Sequence, residues 1–202
     1  MCADWTQAER PSRSAEVIFE NRPAMASWEL ASARLFLLFS HFFLGNLAAI
    51  QRRVPELVRE AVGRGDLFAS TNLRLSVCNV AWLVADDPTE ARRHLQEAEA
   101  CCPKQGGPIQ RYWIAVARTN LYLYEGRAEE AYHGATAVWP TLRRSMLLRM
   151  EHVRVEFHSL RGRCALARAR ADEARREGLL REAQECAARL GRELPGRDWS
   201  PR

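Results

Sequence analysis

Residues 67–103 read LFASTNLRLSVCNVAWLVADDPTEARRHLQEAEACCP, and this stretch decides the fold. Between Leu67 and Ala85, the residues Leu75, Cys78 and Trp82 fall at i, i+3 and i+7. That spacing puts all three on one face of a helix turning 3.6 residues at a time. Asp86-Asp87-Pro88 then breaks the helix. Asp87 is placed to cap the next one. Pro88 takes the first helical position, where no amide donor is needed, and Glu90 sits at the third, a D-x-x-E variant of the capping box. The second helix is predicted to run to about Cys102, and Pro103 with Gly106-Gly107-Pro108 closes the unit.

The same grammar returns when the chain is aligned with itself at an offset of 40 residues. Phe42, Trp82 and Tyr122 share an aromatic column that is expected in the core. Leu35, Leu75, Ala115 and Val155 share an apolar one, and Arg34, Arg74 and Arg154 a basic one. Phe39 is succeeded by Asn79, Thr119 and Ser159, and Gln51 by Ala91, Ala131 and Ala171. The third unit reads RYWIAVARTNLYLYE, with Gly126 ending the helix, then RAEEAYHGATAVW up to Pro140. The fourth spans about Leu142 to Ala169 and Asp172 to about Arg192, and its Arg, Ala and Glu content suits a terminal cap facing water. The first uses Ser27 to Leu44 and about Leu47 to Val62, where Pro55 is predicted to kink or restart the helix.

No segment alternates with a period of two between hairpin turns. The prediction is therefore an all-α protein, an α-α superhelix or solenoid of about four helix-pair repeats. The repeats fall at approximately 24–66, 67–106, 107–141 and 142–194, within one domain from 14 to 194. Residues 1–13 and 195–202 are expected to be flexible.

Composition agrees with an ordered globular chain. Of 202 residues, 47% are hydrophobic and 27% charged, which excludes wholesale disorder, collagen-like sequence and a disulfide miniprotein. A chain of this size buries roughly 70% of its extended surface on folding. The net charge of +5 is too mild to demand nucleic acid or anionic lipid. The six cysteines contain no C-x-x-C pair, so a zinc or disulfide framework is not expected. Scattered on apolar helices, they read as small buried hydrophobes in a reducing cytoplasm. The N-terminal residues lack the pattern of a secretory signal. The apolar run from Leu35 to Ile50 is shorter than the roughly 20 residues of a bilayer span and carries His41 and Asn46, so it reads as a buried helix.

The helix-A aromatic, the break four positions later at Asp86 or Gly126, the alanine five further on at Ala91 or Ala131, and the closing Pro103 resemble the tetratricopeptide pattern. The period of 40 exceeds the usual one of about 34, so the units are divergent, with longer helices. More specifically, SWELASARLFLLFSHFFLGNL, GDLFASTNLRL, ADDPTEARRHL and VWPTLRRSMLLRMEHVRVEFHSLRGRCALA are similar to the C-terminal helical region of large bacterial serine/threonine protein kinases. The resemblance covers about Ala24 to Ala169. It implies a sensory or scaffolding tail that follows a kinase domain and an ATPase-type module. Neither catalytic part is in these residues. The one lysine, Lys104 in CCPKQGGP, is in neither a kinase strand nor a G-K-[ST] loop, and H-R-D, D-F-G and G-x-G-x-x-G are absent. Any kinase activity would reside in a longer parent chain.

The candidate site residues are accordingly those of an interaction surface. In tetratricopeptide folds the first helices line a concave groove, and the register carries that role to Ser76, Asn120, Tyr124 and Glu156. Arg34, Arg74 and Arg154 form a row that either clamps carboxylates or phosphates or pairs with acidic residues of adjacent repeats. His152 and His158 lie six apart, about 240° around a helix, and cannot chelate a metal together. The expected function is a non-catalytic, cytoplasmic module binding protein or peptide, with no cofactor, metal or membrane partner. The alternative is a nucleic-acid-associated transcriptional regulator using its arginine-rich face, whose binding would fall steeply with salt.

Overall fold

The Asp86-Asp87-Pro88 break forms where it is predicted. The Asp87 carboxylate accepts from the Glu90 amide at 2.9 Å, and Pro88 opens the next helix. The capping box is half made. The Asp87 amide donates to the Trp82 carbonyl at 2.9 Å, and the Glu90 carboxylate turns to Arg93.

The computed structural model describes residues 5–21, 27–102 and 107–193, and every regular element among them is helical. In chain order these are α1 (Trp5–Glu20), α2 (Ser27–Phe43), α3 (Leu47–Gly63), α4 (Leu67–Asn72), α5 (Val80–Val84) and α6 (Pro88–Cys101). They are followed by α7 (Pro108–Tyr124), α8 (Ala128–Arg144), α9 (Glu151–Ala171) and α10 (Arg176–Glu193). Along the chain these make four successive helix–turn–helix pairs, α2 with α3, the α4–α5 segment with α6, α7 with α8, and α9 with α10, and α1 packs on α2 more extensively than α3 does. One buried cluster joins the first two pairs to α7, and a second joins α7, α8 and α9.

Three of the turns between paired helices share one construction. Gly45, Asp86 and Gly126 take positive φ, at 77°, 59° and 73°. The next amide then donates to the carbonyl five residues back: Asn46 to His41 at 2.8 Å, Asp87 to Trp82 at 2.9 Å and Arg127 to Tyr122 at 2.9 Å. This left-handed closure satisfies carbonyls that the helix end leaves open. It also corrects the register. The closures are 41 and then 40 residues apart, so an offset of 40 throughout slips by one in the first pair. The residue equivalent to Trp82 and Tyr122 is His41, not Phe42. His41 and Trp82 are buried, whereas Phe42 and Tyr122 are half-buried, so of the expected aromatic column Trp82 alone is in the core.

Four further expectations are corrected. The segment from Leu67 to Ala85 is not one helix. A 3-10 turn at Ser76–Asn79 separates α4 from α5, and Ser76 has φ 51°. The Asn79 side-chain amide donates to the Arg74 and Ala91 carbonyls at 3.0 Å each, making good the backbone bond lost at the break. Pro55 neither restarts α3 nor does Pro140 end α8, which continues to Arg144. Buried residues flank each proline, Val54 and Leu57 around the first and Val138 and Leu142 around the second, and their packing outweighs one missing hydrogen bond. The boundary between the third and fourth units accordingly moves from 141 to Ser145, where α8 gives way to a 3-10 turn at Met146–Arg149.

The stretch expected to be flexible before residue 14 is helical from Trp5. Glu16 is buried and accepts from Arg34 Nε at 3.2 Å and from Arg53, while Trp5 stacks on Phe43 with ring centroids 4.5 Å apart. Residues 195–202, Cys2, Pro103 and Lys104 lie outside the described residues. The two ends of the array meet. Phe39 of α2 lies against Trp113 of α7 at 6.2 Å and His152 of α9 at 6.4 Å, and Trp5 touches the same His152 at 6.2 Å.

Candidate functional site

The corrected register defines one column of equivalent positions, Phe42, Leu83, Leu123 and Arg163, one on the first helix of each pair. All four line a single open cleft of about 360 Å³. Val80, Val84 and Leu47 complete its apolar wall, and Asn120 and Tyr124 supply its polar groups. The first three column members are apolar and the fourth is an arginine, so the cleft is greasy along its length and cationic at one rim. Arg163 Nη1 donates to Asn120 Oδ1 at 3.1 Å, which holds the guanidinium at the mouth. The exposed Tyr124 donates its hydroxyl to the Asp86 carboxylate, fixing the ring as a side wall.

A second depression of about 350 Å³ adjoins the first and shares Leu123 with it. Gly126, Ala128, Ala167 and Ala171 form its floor, and Arg170 stands at its edge. The two depressions are of nearly equal volume and differ in lining, the first walled by large apolar side chains and the second by small ones.

Of the residues expected to line a groove, the structure brings Asn120 and Tyr124 together in the cleft. It places the other two elsewhere. Ser76 is buried at the positive-φ break, with its hydroxyl oxygen lacking a hydrogen-bond partner. Glu156 accepts from the buried Tyr112 hydroxyl at 2.5 Å.

Nor do the three arginines form a clamp. Arg34 pairs with Glu16, Glu20 and Glu60, Arg74 with Glu97 at 3.2 Å, and Arg154 with Glu193 at 2.6 Å. Apart from the first two contacts of Arg34, each partner lies on the second helix of the arginine's own pair rather than in an adjacent repeat. These arginines therefore bolt helix hairpins shut.

The sequence reading assigned Phe42 to the core column rather than to a groove, and Arg163 was not singled out. The signal that finds Arg163 is the 40-residue column through Leu83 and Leu123, and Phe42 joins it once the one-residue slip in the first pair is allowed for.

The titratable groups off the cleft are set by burial. Burial pushes the Cys78 and Cys164 thiols up to about 12, which keeps them protonated and poorly nucleophilic. Burial, with Arg93 and Arg74 nearby, pushes His94 down to about 4. His41 and His158 are also lowered by burial, and each keeps an Nδ1 without a hydrogen-bond partner. Among the described residues no group of three or more His, Cys, Asp or Glu side chains is arranged to hold a metal ion. Among them, too, no helix is long and apolar enough to cross a membrane.

In comparisons with known proteins, the chain matches no family model, no curated protein and no solved structure.

Proposed function

We propose that this chain is a non-catalytic helical-repeat module that binds a protein partner by taking an apolar side chain of a peptide segment into the Phe42–Leu83–Leu123–Arg163 cleft. The observation that carries this reading is that equivalent positions of all four helix pairs converge on one cavity. A volume of about 360 Å³ is at the small end of ligand pockets and fits one or two side chains. The walls belong to helices already packed on one another, so binding need not order the receptor first.

In this reading the four pairs are divergent tetratricopeptide-like units of an α-α superhelix. The likeness of about Ala24 to Ala169 to the helical tails of bacterial serine/threonine kinases supports a place in cytoplasmic signalling, as the regulatory part of such a kinase or a remnant of one. The test is selection of displayed random peptides on the wild-type chain, followed by titration of the selected peptides against Tyr124→Ala. Tyr124 is 45% exposed, so its removal leaves the core intact. Binding weakened tenfold or more at unchanged thermal stability supports the cleft; equal binding by both chains refutes it.

A further inference from the structure

We infer that the partner segment is acidic, with two carboxylate side chains beside the apolar anchor, received by Arg163 and Arg170. This rests on the peptide-binding reading of the cleft and adds the chemistry of the ligand. The argument starts from how α9 uses its arginines. Arg154 pairs with Glu193, Arg161 with Glu182, and Arg168 with Glu129 and Asp172. Arg163 and Arg170 break that pattern. Both are exposed, and among the described residues neither has a carboxylate within ion-pair distance. Each lines a depression, Arg163 the first cleft and Arg170 the second, and the two depressions share Leu123.

Seven residues on a helix are nearly two full turns, so both guanidiniums share one face of α9, about 10 Å apart along its axis. Ala167 lies between them and lines the second depression, where its small side chain gives a backbone room to lie close. An extended peptide advances about 3.3 Å per residue, so acidic side chains two to four positions apart match the two arginines. Guanidinium and carboxylate then pair bidentately, while the adjoining apolar residue occupies the apolar cleft. The column position supports the same conclusion. Phe42, Leu83 and Leu123 make the wall apolar, and the change to arginine at its fourth member selects for an anion at that end and no other.

The experiment uses a displayed library of random decapeptides, selected on the wild-type chain and on the R163Q/R170Q double variant. Both chains are first compared by circular dichroism and thermal melting. Wild type is expected to enrich an apolar residue next to two Asp or Glu residues two to four positions apart. A synthetic copy, acetylated and amidated so that no terminal carboxylate contributes, should bind the double variant at least tenfold more weakly. Its Gln-for-Glu analogue should bind the two chains equally. Enrichment of apolar peptides without acids, sensitive to Tyr124→Ala but not to R163Q/R170Q, overturns the acidic partner and leaves the cleft reading standing. Selection of nothing above an empty support overturns both. Displacement of the acidic peptide by a single-stranded oligodeoxynucleotide whose own binding is lost in the double variant assigns the arginines to nucleic acid and overturns the proposal.

Discussion

The Tyr112 hydroxyl donates to the Glu156 carboxylate at 2.5 Å, tying α7 to α9 at a point where Tyr112 is wholly buried. Burial pushes the Glu156 carboxyl up to about 7, and the hydrogen bond from Tyr112 only partly offsets it. The folded chain therefore holds this proton more tightly than the unfolded chain does. The stability Glu156 contributes is fully present below about pH 4 and is lost as pH rises through about 7. Glu156→Gln keeps an acceptor for Tyr112 and removes the charge. Its unfolding free energy should equal that of wild type near pH 4 and exceed it by roughly 3 kcal/mol at pH 8. Urea unfolding of both chains across that range checks this, and a pH-independent difference counts against a strained charge at Glu156.

His94 gives a slope of the opposite sign. Its ring lies 3.9 Å from that of Trp82, and its folded value of about 4 lies well below that of an ordinary histidine. The unfolded chain takes up this proton first, so stability falls as pH drops from about 6.5 toward 4. His94→Phe, which keeps the stack, should flatten the acid limb. His41, His152 and His158 are lowered too and leave a residual slope. An unchanged acid limb in His94→Phe would place the proton uptake elsewhere.

Trp82 is the one buried member of the aromatic column. Trp82→Ala should cost about 3 to 5 kcal/mol, because it leaves a cavity and unstacks His94. Wild-type-like melting of that variant would remove Trp82 from the core.

Glu16 anchors α1 although no apolar residue of that helix is buried. Arg34 keeps Glu20 and Glu60 as partners when Glu16 is removed, so Glu16→Ala should cost only about 1 to 2 kcal/mol globally. Its effect should concentrate locally, as faster amide hydrogen exchange over Trp5–Glu20 than over α3. Uniform acceleration through the chain would show instead that α1 unfolds with the rest.

The helix pairs were legible because Asp87-Pro88, Gly126 and the apolar spacing around Leu75 and Trp82 all act locally, within one or two turns. The one-residue slip was not legible, since a self-alignment at constant offset cannot see that Gly45, rather than a residue one earlier, closes the first helix. That slip hid Phe42 from the cleft and put Arg34 in a column with Arg74. The break at Ser76 was hidden for another reason. It depends on Asn79 reaching the Ala91 carbonyl, a contact between helices that no periodicity records. The helix at Trp5 was missed likewise, because what orders it is the pairing of Glu16 with Arg34, 18 residues away in sequence.

The meeting of Phe39 and Trp5 with His152 changes how the molecule comes apart and how it can be altered. In an open array each unit answers only to its neighbours, so units can be added or lost at the end and the remainder melts almost independently. Here the last pair is also a neighbour of the first. Cutting the chain before α9 uncovers aromatic surface on α2 more than a hundred residues upstream, and inserting a further pair between α7 and α9 forces the two ends apart. The contact of Phe39 and Trp5 with His152 thus couples the two ends of the chain, so that loss of the last helices is felt at the first.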